Sequence, residues 1–131
     1  MERMTDKIRV AVAGASGKMG REVVKMVLEE PSFELAAAVG RSTAGRDAGV
    51  AAGLPACGVT ITDDLEAALR GGAVDVLVDF TVPHSAYDNT KTAITYGVRP
   101  VVGTTGFTPE QIDELDKLCR SRGIGGLIAP N

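Results

Sequence analysis

Residues 14–20, Gly-Ala-Ser-Gly-Lys-Met-Gly, place three glycines at intervals of three near the start of the chain. This GxxGxxG pattern differs by one step from the GxGxxG pattern of dinucleotide-binding proteins. In such a turn the first glycine leaves a strand, the second lets backbone N–H groups approach a pyrophosphate, and the third packs a helix on the sheet. The N-terminus of that helix supplies free amides and a partial positive charge, to which Lys18 would add its own. The segment therefore predicts a dinucleotide site; the alternative is a purely structural turn.

The residue that follows the second predicted strand indicates which dinucleotide would bind. A carboxylate about 20 residues past the glycines normally holds the adenosine ribose of NAD, whereas a nearby arginine accommodates the 2′-phosphate of NADP. Gly40 stands at this position and Arg41 follows it, with Ser42, Thr43 and Arg46 close by. The arrangement favours NADPH over NADH. The alternative is that Arg41 is an ordinary solvated loop residue.

Two later segments fall at the ends of predicted strands, Asp79-Phe80-Thr81 and Gly103-Thr104-Thr105-Gly106. Ligands of parallel sheets bind at the carboxyl ends of the strands, so both segments are expected to line the same crevice. Their small and hydroxylic residues would let the backbone pass close to a nicotinamide ring and hydrogen-bond its carboxamide. Phe80 would pack near the cofactor, or else belong to the ordinary core.

The remaining reactive side chains form no recognisable catalytic or metal-binding pattern. His84 is the single histidine, and no HExxH, Ser-His-Asp or carboxylate-pair arrangement exists for it to complete. Cys57 and Cys119 match no CxxC or metal-ligand spacing, so we interpret them as reduced thiols of a cytoplasmic protein. The sequence therefore predicts no catalytic residue and no metal site in this chain.

The elements that must position these residues alternate between strand and helix patterns. Strands are predicted over 7–13, 33–39, 59–62, 74–80, 99–103 and 127–129, and helices over 19–30, 63–70, 83–97 and 108–122. Capping boxes predict that Asp63, with Glu66 three residues on, and Thr108, with Gln111 three residues on, begin the second and fourth of these helices. Single helices between strands imply right-handed crossovers and a Rossmann-like α/β fold with a doubly wound parallel sheet. The stretch from Gly40 to Gly58 is predicted to be one long irregular loop, of a kind that is usually functional or mobile.

Composition narrows the class of protein further. The 131 residues fit one domain, and 44% hydrophobic with 24% charged residues is ordinary for a soluble globular protein. A net charge of −3 argues against binding to nucleic acid, which needs a surplus of Lys and Arg. No apolar run approaches the roughly 18 residues that a membrane span needs, so no membrane partner is predicted.

Four segments together resemble the family of 4-hydroxy-tetrahydrodipicolinate reductase, also called dihydrodipicolinate reductase. They are residues 12–21, 78–81, 102–107 and 128–131, and they follow the family's order over essentially the whole chain. The Gly-Lys-Met-Gly-Arg and Gly-Thr-Thr-Gly-Phe pieces are the specific ones. The resemblance implies an enzyme of the diaminopimelate route to lysine, which uses NADH or NADPH to reduce a small cyclic dicarboxylate.

Residue by residue, the resemblance implies a pyrophosphate site at Gly14–Met19, a nicotinamide site at Gly103–Thr105 and a further cofactor contact at Ala129–Asn131. Gly40 departs from the acidic residue of many family members, which supports NADPH, while Arg41 matches the family's arginine. Pattern and resemblance together predict these cofactor-binding residues: Gly14, Ala15, Ser16, Gly17, Lys18, Met19, Gly40, Arg41, Phe80, Thr81, Gly103, Thr104, Thr105, Ala129, Pro130 and Asn131.

The resemblance also implies a C-terminal domain, which carries a His-His motif and a lysine for the substrate and builds a homotetramer. Because the sequence ends at Asn131, residues 1–131 are expected to form the isolated dinucleotide-binding domain. We expect this domain to bind NADPH without turnover, and to be a monomer or weakly self-associating. Two alternatives stay open: a non-catalytic NAD(P)-sensing module, and the cofactor domain of another NAD(P)-dependent dehydrogenase.

Overall fold

Alternating strands and helices build one sheet with helices on both faces in the computed structural model, which describes residues 7–71, 73–103, 107–125 and 127–128. The strands in this part of the chain are β1 (Ile8–Ala13), β2 (Phe33–Val39), β3 (Ile61–Thr62), β4 (Val76–Asp79), β5 (Arg99–Val102) and β6 (Leu127–Ile128). The helices are α1 (Lys18–Glu29), α2 (Ala48–Ala51), α3 (Leu65–Arg70), α4 (Pro83–Thr95) and α5 (Pro109–Ser121).

The sheet has the order β3-β2-β1-β4-β5-β6, and every neighbouring pair is parallel. The chain moves outward from β1 to β3, returns to the centre at β4, and moves outward again on the other side. The order therefore reverses between β1 and β4, where the connections leave in opposite directions and open a crevice at the carboxyl ends. This topology confirms the predicted doubly wound α/β fold.

The core lies on both faces of the central strand, which explains why β1 is a nearly continuous run of apolar residues. Val10 and Val12 pack on one face in a cluster that includes Val23, Val24 and Val27 of α1. The other face buries Ala11 and Ala13 of β1 in a second cluster, together with Leu65 and Leu69 of α3, Leu77 of β4 and Ala93 of α4. Rigid packing on both faces fixes the strand ends that border the crevice.

The segment between β2 and β3 is more ordered than predicted. Instead of one irregular loop from Gly40 to Gly58, it contains the short helix α2 and an antiparallel bridge between Asp47 and Thr60. The carboxylate of Asp47 accepts hydrogen bonds from the amides of Val50 and Cys57, both at 3.0 Å, and of Gly58 at 2.8 Å. The prediction of an irregular loop was wrong because a helix this short shows no hydrophobic periodicity.

The start of α3 also differs by one residue from the prediction. Asp64, rather than Asp63, caps the helix, and its carboxylate accepts a hydrogen bond from the amide of Ala67 at 3.0 Å. Both aspartates suit a cap by type. This register places Leu65 and Leu69 in the core, so burial selects the second aspartate. The predicted start of α5 is confirmed, because Thr108 and Gln111 form both hydrogen bonds of a capping box.

The hydrogen bonds that the carboxylate of Asp47 accepts predict a pH-dependent contribution to the stability of the fold. Amide hydrogen bonds, first from Cys57 and then from Val50, hold the pKa of Asp47 below its ordinary value of 3.8. Because the pKa of Asp47 is lower in the folded state than in the unfolded state, its ionised carboxylate stabilises the fold at pH values above the unfolded-state pKa. This contribution is lost as the pH falls through the folded-state pKa. We expect Asp47→Asn to lower Tm at pH 7, with a gap to the wild type that narrows below about pH 4. Thermal melts from pH 7 to 3 measure this; a gap that stays constant with pH would contradict it.

Candidate functional site

A crevice of about 770 Å³ opens at the switch point, bordered by the ends of β1 and β2 and the first turns of α3 and α4. Among the sequence-predicted residues it is lined by Gly14, Ser16, Gly40, Arg41 and Thr81. The structure thus brings together the glycine turn, the end of β2 and the end of β4. Side chains that the sequence did not single out as binding residues line the same crevice: Asp63, Asp64, Ser85 and Asn89, and also His84.

Gly14 forms the tight turn that ends β1. Its φ of +86° is one that side chains rarely adopt, and a Cβ there would lie 3.2 Å from the carbonyl carbon of Phe80. The amides of Gly14 and Ala15 donate hydrogen bonds to the carbonyl of Val39, at 3.0 and 2.9 Å. Ala15 points its side chain into the core, where it is 1% exposed. The turn is therefore fixed to both neighbouring strands.

The other two glycines of the turn differ in what surrounds them. A Cβ at Gly20 would lie 1.8 Å from the carbonyl oxygen of Gly14, so α1 packs directly on the turn at that point. A Cβ at Gly17 would meet only the same oxygen, at 3.5 Å, an ordinary contact. The φ of −84° and ψ of 172° at Gly17 also suit any residue. Gly20 is required by internal packing, whereas the space beside Gly17 is free for another molecule.

The N-terminus of α1 is suited to an anion. The first amides of a helix have no partner within the helix, and Gly17 at the cap position provides no side-chain hydrogen bond. The first turn of α1 contains no acidic residue that would compete with an anion. Lys18 is exposed beside it, and Met19 is 55% exposed. Free amides and the helix dipole are the groups that bind phosphate at helix N-termini, and this end of α1 carries both.

The end of β2 lies directly against the glycine turn. Gly40 is buried, and its amide donates a hydrogen bond to the carbonyl of Thr62 at 2.9 Å. A Cβ at Gly40 would lie 2.2 Å from Oγ of Ser16. The side chain of Arg41 is exposed at the edge of the crevice, which is also lined by the exposed residues Asp63 and Asp64. The crevice therefore carries charges of both signs at this end.

At the end of β4 a buried carboxylate holds the next residues in place. Asp79 is 0% exposed and accepts hydrogen bonds from the amide and the hydroxyl of Thr81, at 2.7 and 2.6 Å. It also accepts one from the side-chain amide of Asn89, at 3.0 Å. Because the hydrogen of the Thr81 hydroxyl is used internally, its oxygen remains an acceptor towards the crevice. A spacing of two residues from Asp to Thr is the sequence signal for such a turn.

Phe80 lies between two strand ends. The ring of Phe80 is partly buried and packs against the core cluster on the α1 side of the sheet. A Cβ at Gly103 would lie 2.3 Å from Cε1 of this ring. The amide of Gly103 donates a hydrogen bond to the carbonyl of Asp79 at 2.9 Å. The small residue at the end of β5 thus makes room for the aromatic ring at the end of β4. The predicted site residues Thr104, Thr105, Ala129, Pro130 and Asn131 lie outside the described residues.

Other kinds of site find little support in this part of the chain. Among the described residues, no group of three or more His, Cys, Asp or Glu side chains is arranged to hold a metal ion. Cys57 and Cys119 are both free thiols. None of the helices described is both long and apolar enough to span a membrane.

A doubly wound sheet that sets a glycine turn and an uncapped helix at its switch point is a nucleotide-binding domain of the Rossmann type. The model of the family described as dihydrodipicolinate reductase, N-terminus, matches residues 8–131, and the chain belongs to that family. This match favours the reductase domain over a separate sensing module or another dehydrogenase.

Individual relatives support the same assignment. The chain is 43% identical over 128 residues to 4-hydroxy-tetrahydrodipicolinate reductase of Moorella thermoacetica, covering 98% of this chain and 48% of the relative. It is 49% identical over 132 residues to the enzyme of the same name in Picosynechococcus, covering 96% and 48%. The chain thus spans about half the length of the curated relatives that it matches.

Solved structures show the same fold. A dipicolinate-bound dihydrodipicolinate reductase from Paenisporosarcina superposes with a TM-score of 0.80 and 36% identity, covering 95% of this chain and 48% of that chain. GenD2 from gentamicin A biosynthesis, in complex with NAD, has a TM-score of 0.78 at 21% identity, covering 96% and 35%. The second likeness concerns the fold alone.

Proposed function

We propose that this chain binds NADPH or NADH in the crevice and serves as the cofactor domain of a 4-hydroxy-tetrahydrodipicolinate reductase. The observation that carries the proposal is the free space beside Gly17, at a helix N-terminus whose amides no side chain caps. The bound nicotinamide would supply a hydride to a small cyclic dicarboxylate, and the residues of this chain would bind and orient it.

The pyrophosphate would lie against residues 14–19. Gly17 leaves room for the phosphate oxygens to approach the backbone, and the N-terminal amides of α1 would donate hydrogen bonds to them. Lys18 would add a positive charge from the solvent side. Ala15 would serve this site through its backbone, because its side chain is buried in the core.

The adenosine end would lie at the end of β2, where we propose a preference for NADPH. Gly40 places no carboxylate against the ribose, and Arg41 stands at the crevice edge to bind a 2′-phosphate. Ser42 and Arg46 follow in the same exposed turn. The negative charge of Asp63 would disfavour a bound 2′-phosphate. The measured ratio of NADPH to NADH affinity therefore depends on the opposing effects of Arg41 and Asp63.

The nicotinamide end would lie between the ends of β4 and β5. Thr81 offers its hydroxyl oxygen to the carboxamide, held by Asp79, and Phe80 shapes this end of the crevice together with Gly103. The resemblance adds Thr104 and Thr105 to this side, and Ala129 to Asn131 beyond it. No proton transfer is assigned to His84.

Removing the Arg41 side chain tests the preference for NADPH. A charge-assisted contact to phosphate accounts for about 1.5–3 kcal/mol, so Arg41→Ala is expected to weaken NADPH about 10- to 100-fold. NADH lacks the 2′-phosphate and should bind within about twofold of the wild type. Calorimetric titration of both dinucleotides measures the two constants.

Arg122→Ala is the matched control, because Arg122 is an exposed arginine at the end of α5. It should leave both affinities unchanged. Equal weakening of NADPH and NADH by Arg41→Ala would show that Arg41 does not read the 2′-phosphate.

The rest of the reaction would depend on residues beyond this chain. We propose that the part of the curated relatives that the chain does not match carries the substrate-binding residues and the contacts of a homotetramer. The 131-residue chain would then bind the cofactor without reducing the substrate, as a monomer or a weakly self-associating species in the cytoplasm.

A further inference from the structure

We propose that Ser16 is a positioning residue for cofactor selectivity, which acts through Thr43 on the turn that carries Arg41. In addition, Ser16 fills the space that a side chain at position 40 would need. The inference rests on the proposed function and deepens it, because it concerns the same adenosine end of the crevice.

Ser16 occupies the space that a side chain at position 40 would need. A Cβ at Gly40 would lie 2.2 Å from Oγ, 2.9 Å from N and 3.1 Å from Cβ of Ser16. Distances below 3.0 Å do not occur for real Cβ atoms, so a side chain at position 40 requires Ser16 to move. Since one of the crowded atoms is a backbone nitrogen, rotation of the serine side chain does not suffice. The glycine turn itself would have to shift, so Ser16 and Gly40 depend on each other.

The hydroxyl of Ser16 is hydrogen-bonded to Thr43. Its Oγ lies 2.6 Å from Oγ1 of Thr43 and accepts a hydrogen bond from the amide of Thr43 at 3.2 Å. The two residues are 27 positions apart, and both bonds are partly buried. The hydroxyl of Ser16 thus makes its hydrogen bonds within the protein, and these bonds connect the glycine turn to the turn that follows β2.

Thr43 lies within the turn that follows β2 and carries Arg41. The amide of Ala44 donates to the carbonyl of Arg41 at 3.4 Å, and the amide of Arg46 donates to the carbonyl of Thr43 at 3.1 Å. These bonds tie residues 41–46 into consecutive turns. Fixing Thr43 therefore fixes the backbone from which Arg41 reaches the crevice. Losing the hydrogen bonds between Ser16 and Thr43 loosens residues 41–44, while Gly45 and Arg46 stay bonded to Ile61 at 2.8 Å each. The amides of α1 stay in place.

The test compares a ligand that has the 2′-phosphate with one that lacks it. Wild type, Ser16→Ala, Thr43→Val and the double variant are titrated with adenosine 2′,5′-bisphosphate and with adenosine 5′-monophosphate. Ser16→Ala is expected to weaken the bisphosphate about fivefold. Thr43→Val should weaken it less, because the amide of Thr43 still donates to Oγ of Ser16. Both variants should weaken the monophosphate by less than twofold. The double variant should bind no more weakly than Ser16→Ala, because the loss of the serine hydroxyl already removes both hydrogen bonds.

Thr95→Val is the matched control, since its hydroxyl donates to the carbonyl of Lys91 at 2.9 Å on the exposed side of α4. It should leave both ligands unaffected. Equal weakening of the two ligands, or additive losses in the double variant, would overturn the inference while leaving the proposed function standing. A wild-type chain that binds neither NADPH nor NADH would overturn the proposed function and the inference with it.

Discussion

Replacing Gly20 by alanine is expected to destabilise the domain by about 2–3 kcal/mol, which lowers Tm by about 10 °C. The added Cβ would lie 1.8 Å from the oxygen and 2.5 Å from the carbon of the Gly14 carbonyl, and 3.0 Å from Cα of Ala15. All three atoms belong to the backbone, so α1 has to move away from the turn at the end of β1. Thermal and urea unfolding measure the loss.

A loss of stability in this variant would come from packing, because intrinsic helix propensity alone would make the alanine variant more stable. Gly20 lies within α1, where alanine is favoured over glycine by about 1 kcal/mol on propensity alone. Gly71→Ala is the control, because Gly71 has helical angles of −70° and −8° and nothing within 4 Å of a Cβ. It should not lose stability. A Gly20→Ala variant as stable as the wild type would contradict the packing described for the third glycine.

Replacing Gly17 by alanine is expected to have the opposite profile, with a large effect on binding and a small one on stability. The backbone angles at Gly17 suit alanine, and the nearest atom to its Cβ would be 3.5 Å away. An alanine cap costs roughly 0.5–1 kcal/mol more than a glycine cap, which is less than the loss expected for Gly20→Ala. The methyl group would occupy the approach of the pyrophosphate, so we expect both dinucleotides to bind about 10- to 100-fold more weakly.

Calorimetry with NADPH and NADH measures the binding, and a thermal melt of the same variant provides the control for folding. Gly17→Ala should weaken the two dinucleotides alike, unlike Arg41→Ala, because the pyrophosphate is common to both. A Gly17→Ala variant with wild-type affinity would place the pyrophosphate away from the start of α1.

Local requirements explain what could be predicted from the sequence. The turn at Gly14 needs a positive φ, and the capping box at Thr108 uses residues three positions apart, so each signal lies within a few residues of its cause. The buried strands were recognisable for a similar reason, because a strand covered on both faces is a run of apolar residues. Their alternation with helices then left few possible topologies.

The interactions that were not predicted join residues that lie far apart in sequence. Asp47 accepts hydrogen bonds from amides ten and eleven residues later, and Ser16 pairs with a threonine 27 residues away. The choice of Asp64 over Asp63 as the cap of α3 depends on which leucines reach the core. Such choices are made by packing between elements, for which a single sequence carries no local signal.

The most direct test of the dinucleotide site is to titrate ¹⁵N-labelled chain with NADPH and follow the backbone amide resonances. We expect saturable binding with the largest shifts at residues 14–20 and at Arg41, and weaker binding of NADH at the same glycine turn. Shifts concentrated elsewhere, such as the α4–α5 face, or no shifts at millimolar NADPH, would contradict a dinucleotide site at the glycine turn.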